Sequence, residues 1–406
     1  MSRFSKYFLM KEKDVIDYVL EKLPDYGWDK ASMRTKEIGD GNLNYVFRVI
    51  DDKGNSVIVK HAGETLRISS EMTVSVDRNR IESEILILQD KYAPGSVPKI
   101  YMYDTVMCAC IMEDLSDHQL MRYAMMEHKI FPRFADDITT FMVNTLLMTT
   151  DVVMEHKEKK ALVKSFINPE LCEITEDLVL TEPYLDNNGR NLVFEPNKDF
   201  VQKELYSDKA LHLEISKLKF DFMNNAQALL HGDLHTGSIF IKEDSTKVFD
   251  PEFAFYGPIG YDVGNVIANL IFAWDNGNAY GKTEFCDWVL KTIVDVIDMF
   301  KEKFLKAFDK YATEIMAKQE GFKEYYLNSI LADTASYTGT ELNRRTVGMA
   351  QVKDVTTIED EKKRMFAERV NIFCAKDCIM NRNSFRCGKD YIDALERAIA
   401  KAEKSM

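Results

Sequence analysis

The sequence predicts an α+β protein of two lobes, in which a β-rich N-terminal lobe precedes a mostly helical C-terminal lobe. A chain of 406 residues is too long for one ordinary hydrophobic core. Apolar residues recur with period two in several segments of the first 112 residues, which is typical of strands. No proline follows Pro258, which favours a long run of helices. We place the lobes at 1–112 and 119–406, with an interlobe linker at 113–118.

The N-terminal lobe is predicted to be a curled antiparallel sheet with one main helix. Alternating segments at 44–51 and 55–62 indicate a hairpin, because the turn "DKGN" joins them. Helical spacing then returns at 78–92, where Ile81 and Ile85 recur on one face. An amphipathic helix is also predicted at 11–23, and two further strands at 97–104 and 106–114.

The C-terminal lobe is predicted to be helical apart from one island of strands and turns. Helical patterns cover 119–167 and 207–229, whereas 168–200 is rich in Pro, Asn and Asp and is predicted as loops with a short helix. The island is "LLHGDLHTGSIFIKEDSTKVFDPEFAFYG" at 229–257. It interrupts the helices with polar residues set among apolar ones, so we expect it to carry the function.

Composition excludes several classes of protein. The net charge of −13 argues against a general nucleic-acid binder, although it leaves room for a small anionic ligand held by local basic residues. The N-terminus lacks the pattern of a signal peptide, and no apolar run approaches 18 residues, so we expect a cytoplasmic protein without a membrane partner. The seven cysteines show no zinc-ligand spacing and are expected to be reduced thiols.

The carboxylates of the island predict phosphoryl-transfer chemistry. Asp233, in "HGD", is a candidate catalytic residue that could accept or orient the proton of a substrate hydroxyl. Asp250 and Glu252 follow the predicted strand "TKVFD", and Mg²⁺ prefers one or two carboxylates together with nucleotide phosphates. Carboxylates among Leu, Ile, Phe and Val are costly to bury without a partner. We therefore predict a metal site at Asp250 and Glu252.

Two features of the N-terminal lobe are candidates for binding phosphate. The turn at Gly39 and Gly41 allows backbone N–H groups to approach a phosphate closely, although most such turns are only hairpins. Lys60 ends an apolar strand and could bind phosphates if a helix carboxylate holds it. Glu82 and Glu84 both qualify as that partner, and the sequence does not decide between them.

The segment "IMEDLS" at 111–116 is a candidate for binding the adenine ring. A strand that passes into a linker leaves backbone groups unpaired, and such groups match the polar edge of adenine. The segment is equally consistent with a plain connection between lobes.

These motifs occur in the order of the protein-kinase-like fold, and the chain resembles its small-molecule branch, which includes aminoglycoside phosphotransferases and choline kinases. More narrowly, it resembles the 5-methylthioribose kinases of methionine salvage. The resemblance runs over nearly the whole chain and rests on these segments: "GDGNLNYVFRV", "DRNRIESE", "MEDLS", "HGDLHTGSIF", "DPEFAFYGPIGYDVGNVIANL" and "GTELNRRTVGMAQVKD".

The resemblance implies transfer of the γ-phosphoryl group of ATP to O1 of 5-methylthioribose, with Mg²⁺, in a homodimer. It also implies that the twin arginine, Arg344 and Arg345, lies at the sugar, although adjacent arginines on a helix are more often surface charge. Ser238 stands where protein kinases have a metal-binding Asn, so its contact with the metal is left open. The implied ATP-binding residues are Gly39, Asp40, Gly41, Asn42, Asn44, Lys60, Glu113, Asp114 and Leu115.

Three alternatives remain at this stage. A kinase of the same fold acting on an aminoglycoside, choline or homoserine would favour an acid-rich pocket without the twin arginine. A catalytically dead nucleotide-binding module would have lost Asp233 or Asp250, and both are present. A scaffold protein would not explain the buried acids.

Overall fold

In a computed structural model, the chain is described over residues 2–38, 44–63, 65–66, 69–73 and 77–406. It divides into two compact units. The first comprises residues up to His118 together with Lys247–Ala254, and the second comprises Gln119–Thr246 and Phe255–Met406. A β-sheet dominates the first unit and helices dominate the rest of the chain, which confirms the predicted α+β class.

The first unit is built on a five-stranded antiparallel sheet in the order β1-β2-β3-β7-β6. The predicted hairpin forms with Val46 opposite Lys60 and Val49 opposite Val57. The strands and helices of this unit are β1 Arg34–Glu37, β2 Asn44–Ile50, β3 Ser56–Ala62, β4 Thr65–Leu66, β5 Ser69–Thr73, β6 Ile100–Asp104, β7 Ala109–Glu113, α1 Glu12–Lys22 and α2 Arg78–Tyr92.

The alternation of strand β3 places its only lysine away from the apolar core. Val57 and Val59 are fully buried in a cluster with Val15 and Val19 of α1. Successive side chains of a strand point to opposite faces. Lys60 therefore lies on the other face of the sheet, where its ammonium meets α2 through Glu82.

The second unit is mostly helical, and a few short strands connect its helices. The strands are β8 Gln119–Leu120, β9 Ala228–Leu229, β10 Ile239–Lys242 and β12 Tyr256–Gly257, and the chain leaves the unit within β11 Ser245–Val248. The helices are α3 Met121–Met126, α4 Phe134–Leu146, α5 His156–Ser165, α6 Pro169–Leu178, α7 Glu182–Leu185, α8 Lys198–Val201, α9 Lys209–Asn224, α10 Gly260–Ala279, α11 Thr283–Tyr311, α12 Phe322–Val347, α13 Lys353–Thr356, α14 Glu361–Met380 and α15 Gly388–Ser405.

Helices α10 and α12 pack closely because α10 presents glycines at the contact. A Cβ on Gly260 would lie 2.5 Å from the backbone N of Thr334, and one on Gly264 would lie 2.7 Å from that of Thr338. Both distances are shorter than any tolerated contact, so only glycine allows this approach. The contact fixes the position of the end of α12, which carries Arg344.

Two segments differ from the sequence prediction. The helix predicted to reach residue 229 ends at Asn224, because the following residues form β9, in which Leu229 is opposite Tyr256. The region 168–200, predicted as loops with a short helix, contains α6, α7 and most of α8. Pro169 and Pro183 lie in the first turns of α6 and α7 at little cost, because the N–H that proline lacks has no partner in the first turn of a helix.

The seven cysteines are free thiols. Among the helices in the described part of the chain, none has both the length and the apolar content needed to cross a bilayer.

Candidate active site

Lys60 lies at the centre of a buried charge cluster in the first unit. Its Nζ is 2.8 Å from Oε1 and 2.7 Å from Oε2 of Glu82, and it also pairs with Oδ1 of Asp250. Burial lowers the pKa of Lys60, but the charges of Asp250 and Glu82 more than reverse this and raise it above the usual range. The ammonium is therefore charged at any physiological pH and is available to an anionic ligand.

The partner of Lys60 is Glu82 and not Glu84. Glu82 is 2% exposed and faces the sheet, whereas Glu84 pairs with Arg80 at 2.8 Å on the outer side of α2. The side chains of Glu82 and Glu84 are two residues apart on the helix and point to different faces, so only one of them can reach β3. The choice that the sequence left open is thus made by the orientation of α2.

Asp250 and Glu252 lie in the same cluster and fit a divalent cation. Burial, together with the nearby charge of Asp250, raises the pKa of Glu252, and burial likewise raises the pKa of Glu82. Among the described residues, the carboxylates of Glu82, Asp250 and Glu252 face two cations, Lys60 and Arg78. The excess negative charge and the oxygen donors suit Mg²⁺, which takes one or two carboxylates and completes its shell with phosphates and water.

The backbone conformation of Asp250 is typical of a residue at a functional site. Its φ of +64° lies in the left-handed region, which is rare for a residue other than Gly and costs on the order of 1 kcal/mol. Its side chain is 37% exposed, so it can reach a ligand. Within the described ranges, no group of three or more His, Cys, Asp or Glu side chains is arranged to hold a metal ion. The pair would therefore need ligand oxygens from a bound nucleotide.

Asn44 connects this cluster to α2. Its Nδ2 donates to Oε2 of Glu252 at 3.1 Å, and its Oδ1 accepts from Nε of Arg78 at 3.1 Å. The other predicted residues of the glycine turn, which are Gly39, Asp40, Gly41 and Asn42, lie outside the described residues.

The linker residues predicted to bind adenine are partly engaged within the first unit. The N–H of Glu113 donates to the carbonyl of Lys99 at 2.9 Å, and the carboxylate of Glu113 lies 2.8 Å from Nζ of Lys247. Asp114 accepts from Nε of Arg48 at 2.5 Å, and Leu115 is buried. The backbone N–H of Glu113 is therefore already paired, and any adenine contact would fall on other backbone groups of this segment.

In the second unit, Asp262 holds the "HGD" loop in place. Its two carboxylate oxygens accept from the backbone N–H groups of His231 at 2.7 Å and Gly232 at 3.0 Å. Gly232 has a φ of +85°, a conformation that favours glycine. The loop thus turns sharply after β9 and directs Asp233 away from the apolar interior.

Two guanidinium groups and one imidazole ring surround the carboxylate of Asp233. Its Oδ1 accepts from Nη2 of Arg344 at 2.7 Å and lies 3.5 Å from Nη2 of Arg345. Its Oδ2 lies 3.2 Å from Nε2 of His235. Burial raises the pKa of Asp233, but His235 and the two arginines hold it well below the usual range. Asp233 is an anion at neutral pH and a weak base.

The twin arginine is buried and not surface charge. The side chains of Arg344 and Arg345 are 12% and 9% exposed, and Nε of each pairs with Glu341. The structure thus brings Asp233 together with both predicted sugar-binding arginines. A weakly basic carboxylate between fixed guanidinium groups can orient a hydroxyl group and offset the charge of a phosphoryl group.

His235 and Ser238 support the loop from inside. The Oγ of Ser238 donates to the carbonyl of Asp233 at 3.0 Å and lies 3.2 Å from Nδ1 of His235. Burial lowers the pKa of His235 to about 4, so the ring is neutral at pH 7. A carboxylate only accepts hydrogen bonds, so the geometry favours the tautomer with the proton on Nε2. The metal contact left open for Ser238 stays a prediction.

Sequence reasoning missed four residues of the two clusters: Arg78, Arg122, Asp262 and Glu341. Arg78, Asp262 and Glu341 are at most 2% exposed, and the side chain of Arg122 is 13% exposed. The feature that could have identified these residues is a charged residue within an apolar segment, such as Asp262 in "GYDVGNVIANL". A buried charge of this kind requires a partner, but the sequence does not show which residue that partner is.

Comparison with known proteins agrees with this geometry. Residues 34–284 match the phosphotransferase enzyme family. A methylthioribose kinase of Geobacillus sp. (strain WCH70) is 39% identical over 358 residues, covering 87% of this chain and 88% of the relative. That of Geobacillus kaustophilus (strain HTA426) is 39% identical over 366 residues, covering 89% and 91%.

A third relative extends the match further along the chain. The methylthioribose kinase of Bacillus pumilus (strain SAFR-032) is 36% identical over 374 residues, covering 91% of this chain and 93% of the relative. Agreement of this length includes both clusters described above, and the resemblance predicted from the sequence motifs is confirmed. The chain belongs to the phosphotransferase enzyme family and, within it, to the methylthioribose kinases.

Proposed function

We propose that this protein transfers the γ-phosphoryl group of ATP to O1 of 5-methylthioribose, giving 5-methylthioribose 1-phosphate in methionine salvage. The observation that carries the proposal is the pairing of Asp233 with Arg344 and Arg345, since it places a carboxylate and two fixed cations at one point. Relatives named as methylthioribose kinases support the choice of sugar.

ATP is assigned to residues of the first unit. Lys60, held by Glu82, binds the α- and β-phosphates, since its ammonium is buried, charged and already matched to anionic oxygens. Asn44 and the residues Gly39–Asn42 are assigned to the phosphates, and Glu113, Asp114 and Leu115 are assigned to the adenine. These nucleotide roles are proposals from the sequence motifs.

Asp250 and Glu252 would hold Mg²⁺, with Ser238 as a further candidate. When bound, Mg²⁺ would supply positive charge that offsets the negative charge of the nucleotide phosphates. The chain's own contribution is to hold two carboxylates in fixed places. Asn44 donates to Glu252, and Lys60 pairs with Asp250 until a ligand replaces it.

Asp233 orients the sugar for attack. A free lone pair of its Oδ2 accepts from the O1 hydroxyl group, so that the O1 lone pair faces phosphorus. The O1–P bond forms while the bond from phosphorus to the β,γ-bridging oxygen breaks, and ADP leaves with those electrons. The hydroxyl proton passes through Asp233 to solvent. The low pKa of Asp233 is compatible with this role, because phosphoryl transfer does not require a strong base to remove the hydroxyl proton.

A kinase for another small molecule, such as an aminoglycoside, choline or homoserine, is the second candidate. Choline and aminoglycosides are cations and would gain no favourable contact from Arg344 and Arg345, whose charges Asp233 and Glu341 already balance. A thio-sugar is neutral, and its hydroxyl groups can accept hydrogen bonds from the guanidinium groups.

Several finer points remain part of the proposal. We propose a cytoplasmic homodimer, by resemblance to the family. The division into an ATP-binding lobe at 1–112, a linker at 113–118 and a catalytic lobe at 119–406 also stays a prediction.

The test is Mg²⁺-dependent ADP release from ATP with 5-methylthioribose, beside ribose, choline, homoserine and kanamycin. Asp233→Ala is the control. We expect turnover with methylthioribose alone and its loss in the variant. Turnover with another acceptor would retain the chemistry but replace the substrate. ATP binding without turnover on any acceptor would overturn the proposed function.

A further inference from the structure

Glu341 contacts both arginines of the pair that faces Asp233. It lies one helical turn before them on α12 and is 1% exposed. Its Oε2 pairs with Nε of Arg344, and its Oε1 accepts from Nε of Arg345 at 3.0 Å. Each guanidinium group is thereby held at Nε, and its Nη2 is directed to Oδ1 of Asp233.

Helix geometry alone would not produce this arrangement. Adjacent residues of an α-helix point about 100° apart, so the side chains of Arg344 and Arg345 diverge from the backbone. Their like charges also repel each other in a buried place. Glu341 lies three residues before Arg344 and four before Arg345, on the same side of the helix. Each of its oxygens holds one guanidinium group, which brings the two groups together, and its negative charge offsets their repulsion.

A second helix holds Glu341 in turn. Nδ2 of Asn269, on α10, donates to Oε1 of Glu341 at 3.4 Å. Oδ1 of Asn269 accepts from Oγ1 of Thr236 at 3.2 Å and from Nη2 of Arg122 at 3.1 Å. Thr236 lies three residues after Asp233 on the same loop. The carboxylate of Glu341 is therefore tied to the loop that carries Asp233 as well as to the two arginines.

We propose that Glu341 is a positioning residue of the phosphoryl-transfer reaction. It acts through Arg344 and Arg345, by fixing their guanidinium groups so that both face Asp233 and the acceptor hydroxyl group. This inference rests on the proposed function, since it concerns the same site. It assigns Glu341 no contact with substrate.

Glu341→Gln is the first test, because Gln keeps the size of the side chain but loses the charge. The amide can accept from one guanidinium group only, and its NH₂ group opposes the other. We expect kcat to fall about 100-fold, the loss typical of misplaced reacting groups. KM for ATP should stay within about twofold, since the nucleotide residues lie on other elements.

Glu368→Gln is the matched control. Glu368 is 2% exposed, lies on another helix of the second unit, and pairs with Arg364 at 2.9 Å and with Asn197 at 2.9 Å. The control removes a buried, arginine-paired carboxylate whose partners are Arg364 and Asn197 and not the arginines that face Asp233. We expect a similar fall in melting temperature in both variants, but a large fall in kcat only in Glu341→Gln.

Equal effects of the two variants on kcat would overturn the inference, and so would a rise in KM for ATP that accounts for the lost activity. If Glu341→Gln does not fold, Glu341→Asp replaces it. Asp keeps the charge but is one methylene shorter, so it reaches one arginine well and the other poorly. An unchanged kcat in that variant would contradict the positioning role.

The activity of the wild-type enzyme distinguishes an error in the proposed function from an error in the role of Glu341. If the wild-type enzyme phosphorylates another acceptor, the kcat comparison is made with that acceptor, and the substrate assignment alone is lost. If the wild-type enzyme phosphorylates no acceptor at all, the function proposed above is wrong and the positioning role falls with it.

Discussion

Asp233 and Arg344 lie 111 residues apart in the chain, and Nη2 of the arginine donates to Oδ1 of the aspartate at 2.7 Å. The pair forms within the second unit because α10 supports the loop of Asp233 through Asp262 and packs against α12, which carries Arg344. An acidic residue of low pKa and an arginine of fixed orientation are thus held together, at the point where we propose that the acceptor hydroxyl group binds.

Asp233→Asn should abolish most turnover while leaving the fold intact. The amide keeps the size of the side chain, but it cannot accept the hydroxyl proton, and it removes the negative charge that Nη2 of both arginines faces. We expect kcat to fall about 10³-fold, within the usual range for a lost proton-transfer group. ATP affinity, measured by calorimetry, should change little. A variant with more than about one tenth of wild-type kcat would contradict the role of Asp233.

Glu82→Gln should weaken ATP binding, because Lys60 loses the partner that fixes its ammonium. We expect KM for ATP to rise about tenfold, equivalent to about 1.4 kcal/mol. Glu84→Gln is the control from the same helix, since Glu84 pairs with Arg80 and does not contact Lys60. An equal rise in KM in the two variants would show that the orientation of α2 described above does not matter for ATP.

Asp262→Asn should loosen the loop of Asp233. The amide has one acceptor oxygen for two backbone N–H groups, so one of these groups is left unpaired at a cost of about 1–3 kcal/mol. We expect kcat to fall at least tenfold, together with the free energy of unfolding.

Asp51→Asn serves as the control for Asp262→Asn. The two carboxylate oxygens of Asp51 also accept from backbone N–H groups, Oδ2 from that of Asp29 and Oδ1 from those of Lys53 and Asn55, at the turn between β2 and β3. It should lower stability without lowering kcat. Loss of stability without loss of kcat in Asp262→Asn as well would remove Asp262 from the catalytic account.

Asp333→Asn should change the pH dependence of stability. Burial, with the nearby charge of Asp221, raises the pKa of Asp333 in the folded state from 3.8 to about 7. Between these values the folded protein binds a proton that the unfolded chain does not, so this group's contribution to stability falls as the pH rises from about 4 to 7. The Asn side chain does not titrate, so the variant does not lose this contribution to stability as the pH rises. Its free energy of unfolding at pH 8, relative to pH 4, should exceed that of the wild type.

We expect the difference for Asp333→Asn to be on the order of 1–2 kcal/mol, after allowance for the partial exposure of the group. Denaturant unfolding at several pH values measures it. Asp244→Asn is the control, since the side chain of Asp244 is 74% exposed and should give parallel curves. Parallel curves for Asp333→Asn as well would contradict the prediction.

Local pattern determined much of the fold. The alternation in "NYVFRVID" and "NSVIVKHA" predicted β2 and β3, and the spacing of apolar residues predicted α2 to the residue. These elements follow from interactions between near neighbours in the chain, which the sequence records directly. The end of α9 was predicted wrongly, since β9 pairs with β12, more than twenty residues further along the chain.

For the site, the residue types alone indicated which side chains could take part in the chemistry. Asp233, Asp250, Glu252 and Lys60 stood out because charge set in apolar segments requires a partner. The partners themselves follow from the packing of the folded chain, which pairs Lys60 with Glu82 instead of Glu84 and Asp233 with Arg344, which Glu341 holds. Those choices depend on how a helix is rotated and on how closely two helices pack, which contacts distant in sequence determine and no local pattern encodes.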